Sequence, residues 1–122
     1  MEKSCTVYRT ADFIGKKWTM LILLELYKGE SGTRRYSELK KSLPDITPKM
    51  LSARLKELEK EGLVKKIVDA SGFPVKSSYS LTNSGQDFIK IIKGIKKWAL
   101  KWKLKYRLCE KAECGECPAD RL

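Results

Sequence analysis

The chain has 122 residues, 42% hydrophobic and 34% charged. That is one domain's worth of sequence with enough apolar material for a packed core, which excludes general disorder and a typical two-domain enzyme. Lys plus Arg number 26 against 15 Asp plus Glu, a net charge of +11, so the expected partner is a polyanion, either nucleic acid or an anionic membrane surface.

Histidine is absent, which removes the commonest general base and any Cys/His zinc site. The longest clean apolar run, Met20 to Leu24, is far short of a bilayer span. Met1 to Cys5 lacks the hydrophobic core of a signal peptide, so the expected location is the cytoplasm, with no membrane insertion. Residues 82–108 hold eight basic side chains and one acidic one. Residues 109–122 reverse the sign, with two basic and four acidic, and carry three of the four cysteines. The expected division is therefore a basic domain over 1–108 and a cysteine-rich tail over 109–122.

Ser4 is placed to cap a first helix running to about Gly15. A second helix follows over Trp18 to Tyr27, with Leu21, Leu24 and Tyr27 at helical spacing and Gly29 as its stop. Gly32 to Arg35 reads as a loop or short strand. A short helix then starts near Tyr36, with Ser37 as N-cap, and ends near Pro44. The next helix has the strongest signals. Thr47 is its N-cap and Pro48 sits at the first helical position, where a missing N–H does no harm. With Leu51 at zero on a helical wheel, Leu55 falls near 40° and Leu58 near 340° (ideal ~3.6-residue repeat), a single buried face. Lys49, Ser52, Ala53, Lys56 and Lys60 fall between about 100° and 200°, so the opposite face is short or cationic.

Leu63 to Val68 reads as a strand, Asp69 to Pro74 as a turn or loop, and Lys76 to Leu81 as the partner strand with Tyr79 and Leu81 on one face. Thr82 or Asn83 caps a long final helix. Along it Phe88, Ile92, Ile95, Ala99, Trp102 and Tyr106 step by four, three, four, three and four, an apolar seam at coiled-coil-like spacing. Its eight cations repel one another, so the seam must bury against something substantial: its own domain, a second copy, or less consistently with the rest a membrane surface. The order of helix, helix, short helix, helix, hairpin, helix predicts a mainly α fold with a small β-hairpin wing, the plan of a winged helix-turn-helix with terminal helices free for dimer formation.

Ordered blocks now carry a family likeness. Cys5 to Thr10, Ile14 to Thr19, Arg35 to Leu39, Ile46 to Leu51, Arg54 to Glu59, Gly62 to Val64 and Tyr79 to Thr82 together resemble the HxlR family of winged-helix transcription regulators, related in fold to MarR proteins. The likeness covers about residues 5–102. It implies a homodimer on double-stranded DNA, with the helix from Thr47 as recognition helix and the loop near Asp69 to Val75 as wing. The tail from Cys109 is not a regular part of the family pattern.

The physical reading of the DNA contact is direct. The major groove accepts a helix whose outer face is short or cationic. Thr47, Pro48, Lys49, Ser52, Ala53 and Lys56 present such a face, with Arg54 at its edge. Lys65, Lys66 and Lys76 place charge on the hairpin, suited to flanking minor-groove phosphates. The plain alternative is a solvated lysine face without a ligand.

The cysteines leave three readings open. Cys109, Cys114 and Cys117, with Cys5 or a partner's cysteine as a fourth ligand, suit zinc or an iron–sulfur cluster. Cys114 and Cys117 in Cys-Gly-Glu-Cys-Pro form a local likeness to a thioredoxin redox pair, without the βαβ context. Structural disulfides are the third. Cys5 lies beside a helix N-terminus and near Lys3 and Arg9, which favour a thiolate. Some members of the resembled family use a cysteine at this place to sense oxidants or electrophiles. Two functions follow: a DNA-binding transcription regulator biased by thiol chemistry or a metal, and a thiol–disulfide exchange enzyme on a winged-helix scaffold.

Overall fold

In the computed structural model the chain runs α1 (Thr6–Ile14), α2 (Lys17–Lys28), β1 (Thr33–Arg35), α3 (Tyr36–Ser42), α4 (Pro48–Lys60), β2 (Val64–Asp69), β3 (Lys76–Leu81), α5 (Asn83–Trp102) and α6 (Arg107–Lys111). Short 3-10 turns span Glu30–Gly32 and Cys114–Glu116. The structure describes residues 2–116, and of Leu108, Cys109 and Glu116 the backbone alone. The strands form one antiparallel sheet in the order β1-β3-β2. The expected hairpin is present, in register from Val64↔Leu81 to Asp69↔Lys76. β1 adds on the other edge of β3, pairing Thr33↔Ser80 to Arg35↔Ser78. The fold is the expected winged helix-turn-helix, with its hairpin widened by a third strand at the base.

Local chemistry explains where the helices begin. The Thr47 hydroxyl accepts from the Met50 amide at 3.1 Å and Pro48 fills the first helical position, so α4 starts where the sequence places it. The Thr82 hydroxyl accepts from the Gly85 amide at 3.2 Å and donates to the Gly62 carbonyl at 2.6 Å. One threonine thus caps α5 and ties it to the end of α4.

Two expected caps are corrected. Ser4 does not cap α1: its amide and hydroxyl both donate to the Glu2 carboxylate, at 3.1 and 2.9 Å, and Cys5 takes the N-cap position with no side-chain cap bond. A carboxylate two residues away outcompetes the helix amides, and those bonds hold the Glu2 pKa below its usual value. Ser37 does not cap α3 either. The helix begins at Tyr36, and its N-cap Arg35 donates its amide to the Glu38 carboxylate at 2.9 Å.

The core gathers Ile22, Leu23 and Leu26 of α2, the three leucines of α4, and Ile89 and Ile92 of α5. The apolar seam of α5 therefore needs correcting. Ile92 turns inward and is buried, whereas Ile91, Ile95, Trp98 and Trp102 stand exposed. With Ile91 at zero, those four lie within about 60° of one another on one side (340°, 0°, 20° and 40° at an ideal ~3.6-residue repeat), while Ile92 lies near 100° and Ile89 near 160°. The helix buries one face and shows a second, separate apolar stripe. Tyr106 belongs to neither, because α5 ends at Trp102.

α5 can approach the Leu63 backbone, just ahead of β2, closely because residue 85 has no side chain. A Cβ there would run into the Leu63 carbonyl oxygen, which accepts from the Thr82 amide, and press on the Leu81 side chain at 3.0 Å. The backbone atom cannot step aside without breaking that bond. Gly85→Ala is expected to cost about 1–3 kcal/mol, as overpacked sites do. Urea unfolding should show a lower midpoint at an unchanged slope.

Candidate nucleic-acid interface

α4 is anchored by Leu51, Leu55 and Leu58, all at most 1% exposed. Burying that stripe turns Thr47, Pro48, Lys49, Ser52, Ala53 and Lys56 outward. Thr47, Pro48, Lys49, Ser52 and Lys56 are exposed, and together they form one continuous, short and cationic surface. Arg54 is placed differently. It is largely buried, and its guanidinium donates to Glu57 Oε2 at 3.3 Å. The same oxygen receives Lys16 Nζ from the start of α2 at 2.8 Å. Glu57 thus engages two cations and fixes the azimuth of α4 against α2.

Tyr36 carries weight that its sequence does not announce. Its hydroxyl donates to the Pro48 carbonyl at 3.3 Å and lies 3.4 Å from Ser52 Oγ. It pins the start of α3 on the first turn of α4, beside Thr47 and Lys49. The one signal for it is its place in the Arg35-Tyr36-Ser37-Glu38 block.

The hairpin holds Lys65, Lys66 and Lys76, all exposed. Asp69 is the one carboxylate among residues 65–76. It accepts the Ser71 hydroxyl at 2.6 Å and the Ser71 amide at 3.0 Å, which hold its carboxyl below the ordinary range. It is thereby turned to shaping the loop. At the base, Tyr79 is buried, and desolvation pushes its phenol above the usual value.

A groove of about 780 Å³ runs between α1 and the second half of α4, with Arg9, Lys16, Lys56 and Lys60 along it. Cys5 lies in sequence between Ser4 and Thr6, two residues of its rim, and is partly exposed. The structure does not bring Cys5 and Cys114 into one site. Cys114 is buried where the Cys114–Glu116 turn packs on α2, beside Lys93, Lys96 and Leu100 of α5. Among the described residues no three Cys, Asp or Glu side chains gather as metal ligands. Cys117 and the Cys109 side chain lie outside the described residues.

A clamp holds this end of the chain. Glu113 Oε1 accepts Lys93 Nζ at 2.6 Å and the Tyr27 hydroxyl at 3.1 Å, and Oε2 accepts the Gly115 amide at 2.6 Å. Lys96 Nζ donates to the Ala112 carbonyl at 2.7 Å. The Lys93 bond lowers the Glu113 pKa, and the Glu113 bond raises that of Lys93. The contribution of Glu113 is therefore present above its unfolded value of 4.5 and is lost as pH falls through the lower folded value.

A leucine-anchored helix with a short cationic outer face, pinned by a preceding helix and flanked by a cationic hairpin, is the DNA-reading apparatus of a winged helix-turn-helix protein. The chain belongs to the HxlR-like helix-turn-helix family, whose model matches residues 13–107. It is similar to the HTH-type transcriptional regulator YvaP of Bacillus subtilis (strain 168), 40% identical over 94 residues that make up 77% of this chain and 83% of YvaP. Its fold matches a MarR-family transcriptional regulator from Porphyromonas gingivalis W83 at a TM-score of 0.73 and 34% identity, over 85% of this chain and 97% of the other. It also matches the redox regulator HypR in its oxidised form at 0.70 and 33% identity, over 82% and 99%. The chain is a DNA-binding transcriptional regulator of HxlR/MarR type. Among the described residues no helix is long and apolar enough to cross a membrane.

Two expectations follow from this geometry. Lys49→Ala and Lys56→Ala should each weaken binding to duplex DNA and flatten the log–log salt dependence by about 0.9 for each phosphate no longer neutralised. Lys65→Ala and Lys66→Ala should weaken it with less effect on sequence choice. A filter-binding titration at several salt concentrations, run on two duplexes of different sequence, reads both. Separately, Glu113→Gln should loosen the clamp, so that a maleimide followed by peptide mass spectrometry labels Cys114 faster than in wild type.

Proposed function

We propose that the protein works as a homodimer on double-stranded DNA and that oxidation of Cys5 sets its affinity. The observation that carries this reading is α1 itself. It is a nine-residue amphipathic helix with no buried residue, and its N-cap is a partly exposed thiol. The exposed stripe of α5, with Trp98 at 56% and Trp102 at 65%, is a second apolar surface in need of a cover. A second copy packing α1 and α5 against the same elements would bury both. The likeness to HypR, a redox regulator, supports the thiol part.

The chemistry is simple. A peroxide oxidises the Cys5 thiolate to a sulfenic acid and is itself reduced, hydrogen peroxide giving water. A change at the N-cap of a helix in the interface would tilt one subunit against the other. Half-sites lie about one helical turn, ~34 Å, apart, so a modest rotation spoils simultaneous docking of the two α4 helices. The Lys49, Ser52, Ala53 and Lys56 face would meet the base edges and nearby phosphates.

The exchange-enzyme alternative fares worse, because Cys114 is buried under its clamp while an exchange nucleophile must be reachable. A zinc or iron–sulfur centre on Cys109, Cys114 and Cys117 stays a separate reading. Metal and sulfide analysis of anaerobically purified protein decides it.

The test has two arms. Sedimentation at micromolar concentration should give a dimer, and Ile95→Glu with Trp98→Glu a monomer. On one fixed duplex at fixed salt, peroxide should change the affinity of wild type by roughly 5- to 150-fold, the range of ordinary two-state coupling. Cys5→Ser should not respond. Equal binding by reduced and oxidised wild type removes the switch. A wild-type monomer removes the assembly.

A further inference from the structure

The hairpin ends in an exposed aromatic side chain. β2 and β3 pair over their six residues, Val64↔Leu81 to Asp69↔Lys76, an arm of about 17 Å at a strand rise of ~3.4 Å. β1 supports β3 at Ser78, Tyr79 and Ser80, so the distal part of the arm is two-stranded. A two-stranded ribbon wet on both faces is marginal in water. This one nonetheless exposes Ile67, Val68 and Val75, and at its tip Phe73 is 99% exposed. Phe73 stands between Gly72 and Pro74, in a loop whose other members are small or aliphatic. An aromatic ring held wholly in water gains from any apolar partner that reaches it.

The charge around the ring selects the partner. Lys65, Lys66 and Lys76 stand on the same arm, against Asp69 alone, whose carboxylate is engaged by Ser71. An apolar tip on a cationic stalk matches a surface that is anionic at its rim and apolar inside. The duplex minor groove is such a surface, with phosphates along its edges, sugars on its walls and, between its base steps, apolar base faces that an inserted side chain can reach. The arm belongs to the same domain as the α4 face.

We propose that Phe73 is an apolar wedge, inserted from the wing into the minor groove beside the site read by α4, where it partly unstacks one base step and bends the duplex. This rests on the double-stranded DNA reading and deepens it. Flexible pyrimidine–purine steps such as TA unstack most readily, so the wedge would add a sequence preference at a position with no hydrogen-bonded readout. Phe73 is a specificity residue here, and the lysines beside it supply affinity.

The experiment uses the full-length protein and a duplex selected by wild type from a randomised pool, labelled at both ends for energy transfer. Wild type should shorten the end-to-end distance. Phe73→Ala should bind about tenfold more weakly, within the range measured for stacking of one base on an aromatic side chain, and leave the duplex straighter. Because no charge is lost, its salt slope should equal that of wild type. Phe73→Leu, still an apolar wedge, should retain most of the bend. Replacing TA steps flanking the α4 site by GC should weaken wild type but not Phe73→Ala. Phe73 is fully exposed, so equal melting temperatures should confirm that the variants fold alike.

An unchanged affinity and bend for Phe73→Ala overturns the wedge while leaving the DNA reading intact. A wild type that selects no duplex at all removes the DNA reading itself. Vesicles of phosphatidylcholine with phosphatidylserine serve as the competing surface. If wild type binds them, Phe73→Ala does not, and the two bind DNA equally, the tip belongs to a membrane and the wedge is wrong.

Discussion

Three leucines decide which face α4 presents to solvent. Leu51, Leu55 and Leu58 are withdrawn from water almost completely, each burial being favourable by roughly 1.5–3 kcal/mol. α4 has no freedom to roll about its axis without re-exposing them. Its outer face is therefore set by the core: Lys49, Ser52, Ala53 and Lys56 are presented because their neighbours at the next wheel positions are buried. The polar contacts around α4 refine this orientation. Glu57 takes Lys16 from α2 and Arg54 from its own helix, and Tyr36 fastens the first turn to α3. A DNA-reading surface needs such rigidity, since base edges reward only side chains held at the right depth and angle.

α4 is legible in the sequence because everything that defines it is local. A threonine cap, a proline at the first position and leucines at helical spacing lie within twelve residues, Thr47 to Leu58. The same is true of Thr82 at the start of α5. The failures have a shared cause as well, since each involves competition or distance. Ser4 has a nearby carboxylate to bond instead of α1, and Arg35 displaces Ser37 because Glu38 can reach back to its amide. An α5 seam drawn through Ile92 and Ile95 joins side chains that stand about 60° apart on the helix, and the edge of the buried face falls between them, so one turns inward and the other stays outside. β1 lies within the Gly32 to Arg35 stretch that reads as a loop or short strand, and the edge of β3 decides between the two. The Lys93 to Glu113 clamp joins residues that no periodicity connects.

Charge is distributed by role across the molecule. Lys49 and Lys56 on α4, and Lys65 and Lys66 on the hairpin, stand exposed and so are available to phosphates. Cations that hold the scaffold are matched: Lys16 with Glu57, Lys93 with Glu113, Lys28 with the buried Glu25. A net charge of +11 thus does not describe a uniformly sticky surface.

The first helix carries a further consequence. Nine residues with no buried side chain and no side-chain cap fall below the ~12–15 residues at which an isolated helix becomes even marginal in water. Phe13 and Ile14 at its end pack on the core of the domain, and what keeps the rest of α1 wound must come from the surface it docks on. If that surface belongs to another molecule, winding and association are one equilibrium, and mass action governs both. Dilution would then unwind the N-terminal arm while the rest of the domain stays folded, and the helical content of residues 6–14 would report how much of the protein is assembled.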